Sequence, residues 1–240
     1  MINLCTFTGV DVRTDLGRVA DMAAAYPFLE FGVLLSRTPE DKDPRYPQFR
    51  QIRDIVDRLA GRARLALHVC GRAVGEFVRE PAEGSAYAGQ DIEDLVAAGI
   101  GRVQLNFNFE RAGLSVEEID AAIRRTRAKV ITQHFPANAA VSNGVAAPNH
   151  QLLYDASGGR GVAATGYDRP FARKYTGYAG GIGPENAVAS VAAIQAVAGD
   201  AVVWIDMESR IRTDGYLDLD KCASVAASIA PTLAANVTPG

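Results

Sequence analysis

The chain has 240 residues, a length that one hydrophobic core can organise, so a single domain spanning residues 1–240 is the first expectation. Hydrophobic residues make up 48% and charged residues 22%, which are ordinary values for globular proteins and exclude disordered and fibrous classes. The net charge of -3 excludes an electrostatic nucleic-acid binder and a polybasic membrane surface, so we expect a small-molecule partner.

The three cysteines are odd in number and widely spaced, at Cys5, Cys70 and Cys222, which is atypical of a disulfide framework or a metal cluster. This cysteine usage fits a reducing compartment. No apolar run approaches the roughly 18 to 20 residues that a bilayer requires, and residues 1–8 lack the basic and apolar regions of a leader. We therefore predict a cytoplasmic protein that does not contact membranes.

Short β-rich runs alternate along the chain with segments of helical pattern. Eight strands are predicted, at residues 2–7, 28–35, 64–69, 102–107, 129–135, 151–155, 176–180 and 202–206. Each segment between two strands is long enough for a covering helix and is predicted to carry one.

Local signals mark the ends of several of these helices. Ser115 is followed three residues later by Glu118, which predicts a capping box at a helix start. Pro184 and Glu185 predict the first turn of a helix that continues through residues 187–197. Between residues 137 and 149 the chain is short and interrupted by Asn-Gly and Pro, so the fifth helix is predicted to be abbreviated.

Eight alternations of strand and helix are compatible with an open doubly wound sheet or with a closed barrel. The open sheet usually carries a glycine fingerprint after its first strand, and residues 8–11 read TGVD, which does not supply one. We therefore predict the α/β class with a single (β/α)8 TIM barrel.

In such barrels the chemistry gathers at the carboxyl ends of the strands. The polar residues predicted there are Cys5, Ser36, His68, Asn106, Gln133, His134, Asp155, Asp206 and Glu208. Asp155 ends an apolar run, where a carboxylate is costly unless it is paired, hydrogen-bonded or protonated, and those conditions suit a proton donor. Gly180 and Gly181 precede a predicted helix, so their backbone N–H groups could face an anion, and a simple turn is the alternative.

Cysteine and histidine in this set both have structural alternatives. Cys5 lies inside the first strand, where a thiol usually behaves as a small buried hydrophobe, and a catalytic role needs a site that lowers its pKa. His68, His134 and His150 could in principle surround a divalent ion together with carboxylates at the strand ends. Because no HxH or HExxH spacing supports this, hydrogen-bonded structural histidines are favoured and no metal is predicted.

Several motifs together resemble the phosphoribosylanthranilate isomerase family, a tryptophan-pathway barrel. The carboxyl-terminal third carries the best match, with LLYDASGGRG at 152–161, YAGGIGPENA at 178–187 and IDMESRIRTDGYLDLDK at 205–221. The middle of the chain matches more loosely, through PRY at 44–46 and VQLN at 103–106, and the first strand offers Cys5 at the family's cysteine position.

The resemblance implies an Amadori rearrangement that opens the ribose ring of N-(5-phosphoribosyl)anthranilate and moves a proton from C2. It implies that Asp155 is the general acid on the ring oxygen and that Cys5 is the general base at C2. No cofactor is implied, because the amine of the substrate forms the Schiff base that acidifies C2. The implied partner is a small phosphosugar, and the barrel is expected to be a monomer or a homodimer.

The resemblance also implies a set of substrate and phosphate contacts, namely Arg45, Gln104, Gly180, Gly181, Asp206, Ser209 and Arg210. The strand-eight loop differs from the family pattern, which presents small residues and a glycine to phosphate, because it reads Glu208, Ser209, Arg210. Glu208 would repel a phosphate dianion at close range, and Arg210 would replace backbone contacts with its side chain.

Two further hypotheses stay open at this point. The barrel could run a different chemistry, metal-assisted or by proton transfer, at His68, Asp155, Asp206 and Glu208. Alternatively, it could have lost catalysis and bind a metabolite or a protein partner.

Overall fold

A computed structural model of the chain describes residues 1–37, 45–79, 87–155 and 166–234. Eight parallel strands close into a barrel in sequence order, with β1 hydrogen-bonded to both β2 and β8. They are β1 Ile2–Thr8, β2 Leu29–Ser36, β3 Arg64–Cys70, β4 Ile100–Asn106, β5 Lys129–His134, β6 His150–Tyr154, β7 Thr176–Tyr178 and β8 Val203–Met207. This confirms the (β/α)8 fold, and the ends of all eight strands lie within about two residues of those predicted.

Helices follow most of the strands and cover the outside of the barrel. The described helices are α1 Leu16–Ala25, α2 Phe49–Leu59, α3 Arg72–Val78, α4 Gln90–Ala98, α5 Phe109–Ala112, α6 Val116–Arg125, α7 Ala139–Gly144, α8 Ala187–Ala198 and α9 Leu219–Ala234. Two 3-10 turns, Pro136–Asn138 and Ser209–Ile211, precede α7 and α9. Among the described helices, none combines the length and the apolar character needed to cross a membrane.

The helix starts partly match the sequence signals. Ser115 and Glu118 form the predicted capping box, each accepting a bond from the backbone N–H of the other. The fifth connection is abbreviated as expected, to the six residues of α7. The prediction that Pro184 and Glu185 lie in the first turn of a helix is wrong, because α8 begins at Ala187 and both residues belong to the turn before it.

Two further features concern the connections before β7 and after β8. Residues 166–175, which lead into β7, contain no helix, and the preceding residues 156–165 lie outside the described part of the chain. After β8 the chain adds a small antiparallel hairpin, β9 Arg212–Thr213 and β10 Tyr216–Leu217, which was not predicted. Asp214 and Gly215 make its turn with positive φ angles of 51° and 83°, as the hairpin turn with two left-handed residues requires.

Side chains alternate along each strand between the helix layer and the barrel interior. On β1, Cys5 and Phe7 belong to the large core under the helices, whereas Leu4 belongs to a small interior cluster with Ile131, Leu153 and Trp204. Trp204 is fully buried, and the guanidinium carbon of Arg102 lies 3.8 Å from the centre of the indole ring. This filling occupies the lower barrel, so the open space lies at the carboxyl end.

A buried ion pair crosses the interior beside this cluster. Arg102 donates to Glu30 at 2.9 Å, and both side chains are more than nine-tenths buried. The hydroxyl of Thr6 also donates to Glu30, at 2.8 Å. Charges removed from water in this way require such partners, so the pair ties β1, β2 and β4 together below the mouth.

Candidate active site

A cavity of about 890 Å³ opens at the carboxyl end of the barrel. Its polar lining includes Arg45, Cys70, Gln104, Asn106, Asn108, Arg111, Gln133, Asp155, Asp206, Glu208 and Ser209, and its apolar walls include Leu34, Phe107, Phe135 and Leu153. The volume is in the range of small-molecule sites, and polar side chains outnumber apolar ones in the lining. This cavity is therefore a suitable place for a substrate-sized ligand, at the end of the barrel where this fold carries chemistry.

Asp155 lies directly after β6 and faces this cavity although only 5% of it is exposed. The side-chain amide of Gln133, at the end of β5, donates to its Oδ2 at 3.0 Å. The backbone N–H of Asp155 donates to the carbonyl of His134, which holds the residue against the neighbouring strand. A buried, oriented carboxyl in contact with the cavity is placed to exchange a proton with a ligand there.

Asp206 is a second buried carboxyl in the same cavity. It lies on the inner face of β8 and is 6% exposed. Burial raises its pKa to about 7, the hydrogen bond from Thr8 acts in the opposite direction, and the charge of Glu208 adds to the rise. Near neutral pH this carboxyl therefore exists in both protonation states.

A chain of hydrogen bonds runs from Asp206 around the inside of the barrel through Thr8 and His68 to Gln104. The hydroxyl of Thr8 donates to Oδ1 of Asp206 at 2.7 Å. Nε2 of His68 lies 3.3 Å from the Thr8 hydroxyl oxygen, and Nδ1 of His68 lies 3.2 Å from the amide nitrogen of Gln104. We call these four residues the hydrogen-bond chain.

The direction of every bond in the hydrogen-bond chain follows from its two ends. The amide nitrogen of Gln104 can only donate, so Nδ1 of His68 accepts and Nε2 carries the proton. Nε2 then donates to Thr8, whose own proton goes to Asp206. Burial lowers the pKa of His68 to about 3, and the charge of Arg102 adds to this, so the ring is neutral as the bonding requires.

Cys5 is not part of the site, which corrects the assignment of this residue as the base. It is fully buried on the helix-facing side of β1, away from the residues that line the cavity. Burial, with the nearby Cys222, Asp206 and Glu30, raises the pKa of the Cys5 thiol well above its ordinary value. A protonated thiol packed under the helices cannot take a proton from a ligand in the mouth.

The glycine turn before α8 borders the cavity through Gly180. Gly180 and Gly181 have φ angles of 118° and 59°, which side-chain-bearing residues rarely adopt. The side chain of Asn186 fixes the turn, because it donates to the carbonyl of Gly181 at 3.0 Å and accepts from the N–H of Gly183 at 2.8 Å. Gly181 itself is not among the lining residues.

The strand-eight loop presents a carboxylate to the cavity and turns its arginine away. Glu208 lines the mouth and pairs with Arg45 at 3.6 Å and with Arg212 at 3.7 Å. Ser209 also lines the cavity. Arg210 does not, since it lies 4.0 Å from Glu185 on the outside, so the expectation that its side chain reaches a bound phosphate is wrong for this arrangement.

The three histidines make structural hydrogen bonds. Besides His68, His134 contacts the hydroxyl of Ser142 at 2.8 Å, and His150 contacts the hydroxyl of Thr132 at 2.8 Å. Within the described residues there is no group of three or more His, Cys, Asp and Glu side chains arranged to hold a metal ion. Both ring nitrogens of His68 are already engaged in the hydrogen-bond chain, so the proposed metal set around His68 is not assembled.

Sequence reasoning missed Thr8, which joins Asp206 to His68. The stretch from Leu4 to Thr8 alternates between the two faces of β1, and this alternation is the signal that could have found it. Cys5 shares its face with Phe7, which indicates the apolar helix-facing side. Thr6 and Thr8 share the other face, which indicates the barrel interior.

Comparison with known proteins gives matches among solved structures. No family model matches the sequence, and no curated protein matches it. TrpF from Jonesia denitrificans is similar at 16% identity and a TM-score of 0.62, covering 96% of this chain and 98% of that one. Phosphoribosyl anthranilate isomerases from Thermotoga maritima (16% identity, TM-score 0.62, 97% and 100% covered) and Thermus thermophilus (19%, 0.58, 95% and 99%) are also similar.

These matches cover nearly the whole of both chains in each pair, so the likeness includes all eight strands rather than one motif. At such low identity it is a likeness of fold. Solved barrels of the family that the motifs resemble are thus among those that this chain matches, and the protein has a (β/α)8 fold like theirs.

Proposed function

We propose that the protein is an aldose–ketose isomerase that carries out an Amadori rearrangement on N-(5-phosphoribosyl)anthranilate or a related phosphosugar. The observation that carries this proposal is the buried carboxyl of Asp155, oriented by Gln133 and facing the cavity. It lies in the segment that resembles the family most closely. Its environment suits the general acid of this reaction.

The first step is ring opening. Asp155 donates a proton to the ring oxygen, the bond between C1 and that oxygen breaks, and the lone pair of the substrate nitrogen forms the C1=N iminium. The iminium acidifies the proton on C2, which a base on the protein then removes. No external redox partner is needed, because C1 is reduced as C2 is oxidised within one molecule.

The mouth of the cavity carries both positive and negative side chains, and the positive ones favour an anionic substrate. Arg45 and Arg111 line it, and the fixed turn at Gly180 stands before the amino end of α8. Glu208 reduces this preference for anions, although Arg45 and Arg212 share its charge. A related sugar with a less highly charged anionic group is therefore included in the proposal.

The test is turnover of N-(5-phosphoribosyl)anthranilate by the purified protein, with the 1-deoxyribulose product identified by chromatography and mass. Asp155→Asn keeps the size of the side chain and removes its acidity, so the rate should fall by about 10² to 10⁴-fold. Asp200→Asn makes the same change at an exposed residue outside the cavity lining and should leave the rate unchanged.

Absence of turnover with this substrate and with a panel of phosphorylated aminosugars, in a protein whose circular dichroism shows a folded barrel, would refute the isomerase proposal. Full activity in Asp155→Asn would remove Asp155 from the mechanism while leaving the reaction in place. Complementation of a tryptophan auxotroph lacking the isomerase tests the same reaction in cells.

A further inference from the structure

The proposed isomerase reaction needs a base at C2. Cys5 cannot be that base, because it is buried on the helix-facing side of β1 and does not line the cavity. We propose that Asp206 is the catalytic base and that Thr8, held by His68, is its positioning residue. This inference rests on the proposed function. It assigns the second half of the proton transfer to a carboxyl on β8 instead of a thiol on β1.

Position and partners select Asp206 among the ionisable groups that line the cavity. Glu208 is paired with two arginines, and the thiol of Cys70 donates to the carbonyl of His68 on its own strand. Asp155 is assigned to the ring oxygen. Asp206 is buried, lines the cavity and lies two strands from Asp155, so a sugar in the mouth can meet both carboxyls.

Thr8 stands at the last inward-facing position of β1, and Gly9 follows it. A threonine hydroxyl is far too weak an acid to become the base itself. Its role is set by its proton, which goes to Oδ1 of Asp206 and fixes the orientation of that carboxylate.

The neutral ring of His68 keeps the hydrogen-bond chain directed toward Asp206 without adding a positive charge. A cation at this place would hold the carboxylate ionised and make it a weak base. Burial raises the pKa of Asp206 to about 7, with the charges of Glu208 and Glu30 acting in the same direction and the hydrogen bond from Thr8 and the charge of Arg102 acting against it. A base whose pKa is close to the working pH is both ionised and strong enough to take a carbon-bound proton.

The step balances without a co-reactant. The carboxylate of Asp206 takes the proton from C2, the electrons of the C2–H bond form the C1=C2 double bond, and the iminium pair returns to nitrogen. The resulting enolamine becomes the ketone when C1 gains a proton and the hydroxyl on C2 loses one. Asp206, now protonated, can return its proton in that last exchange.

The experiment compares steady-state kinetics over pH 5 to 9 for the wild type, Asp206→Asn, Thr8→Val and Thr8→Ser. Asp206→Asn should lower kcat by about 10² to 10⁴-fold, since it can no longer accept the proton. Thr8→Val removes the donor to the carboxylate, so the ascending limb of kcat/KM should move to higher pH. Thr8→Ser keeps the hydroxyl, so the ascending limb of its kcat/KM profile should lie at the same pH as in the wild type.

The outcomes separate this inference from the proposed function. Wild-type turnover that persists in Asp206→Asn with an unchanged pH profile overturns the assignment of the base and leaves the isomerase in place. A folded wild type that is inactive overturns both. If Asp206→Asn fails to fold, the two Thr8 variants decide. Thr8→Val must then melt at the same temperature as the wild type. If it does and the ascending limb of its kcat/KM profile is not shifted, the positioning role of Thr8 is contradicted.

Discussion

A Cβ atom on Gly32 would lie 2.7 Å from the hydroxyl oxygen of Thr8. The same atom would lie 3.1 Å from Nε2 of His68. Gly32 is on β2, between the strands that carry these two residues, and its missing side chain leaves the space in which they meet. The hydrogen-bond chain therefore depends on a glycine that takes no part in it.

Gly32→Ala should separate Thr8 from His68 and displace the hydroxyl from Asp206. We expect kcat to fall at least tenfold and the pH profile to shift as in Thr8→Val. Gly101→Ala on β4 is the matched control, because its added Cβ would meet nothing closer than 3.9 Å. Kinetics of the two variants check this. Equal activity in both would show that the contact between Thr8 and His68 is dispensable.

The buried carboxyl of Asp206 should make stability depend on pH. Its folded pKa of about 7 lies above the usual value of 3.8, so between these pH values the folded state holds a proton that the unfolded state has lost. Its contribution to stability therefore falls as pH rises through this window. Above pH 7, keeping the ionised Asp206 carboxylate buried lowers the free energy of unfolding by on the order of 4 kcal/mol.

Asp206→Asn removes that cost. The variant should melt at a higher temperature than the wild type at pH 8, and the difference should shrink toward pH 5. The groups that act on Asp206, namely Thr8, Glu208, Arg102 and Glu30, are the same in both proteins, and so is His68. Thermal melts at both pH values check this, and a constant difference would contradict a raised pKa.

Glu208→Gln should improve the binding of an anionic substrate. The change removes one negative charge from the mouth and releases Arg45 from its 3.6 Å pair. The repulsion between an exposed carboxylate and a nearby bound anion costs roughly 1 kcal/mol of binding free energy, so KM should fall about fivefold. The effect should weaken as the salt concentration rises. The ascending limb of the pH profile should also move to lower pH, because Glu208 raises the pKa of Asp206.

Glu185→Gln is the control for this change. Glu185 is exposed and lies 4.0 Å from Arg210, outside the cavity. Its KM should match the wild type. A KM that rises in Glu208→Gln would instead show that Glu208 contributes to substrate binding.

Glu30→Gln should test the ion pair beneath the cavity. The substitution leaves the charge of Arg102 buried without its partner, which costs about 3 to 5 kcal/mol of unfolding free energy. Asp57→Asn breaks an exposed pair with Arg53 on α2 and should cost below about 1 kcal/mol. Urea denaturation of both variants measures the contrast, and similar losses would refute a special role for the buried pair.

The regular alternation of β-rich and helical segments along the chain was sufficient to predict the barrel. Each strand is a compact β-rich run, and the helix between two strands has its own capping or periodic signal, as at Ser115. The connections were harder, because their shape depends on contacts made after folding. The start of α8 was misplaced at Pro184 because Asn186 is recruited to hold the glycine turn.

The site was only partly predictable. Asp155 and Asp206 were found because strand ends meet at one rim of a barrel, and Gln104 was assigned by resemblance. Cys5 was assigned by resemblance, although the alternation of β1 places it with Phe7 against the helices. The orientation of Arg210 could not be inferred, because its position is set by Gly183 and Glu185 in a different loop.

The contact between Thr8 and Asp206 also constrains the order of folding. The two residues are 198 positions apart and lie on the first and last strands of the barrel. Contacts of such long sequence separation require the closure of a long loop, which slows their formation. A fragment ending after β4 would retain Thr8, His68 and Gln104 but no proton acceptor. Under the proposed mechanism, the site is therefore complete only when β8 closes the barrel against β1.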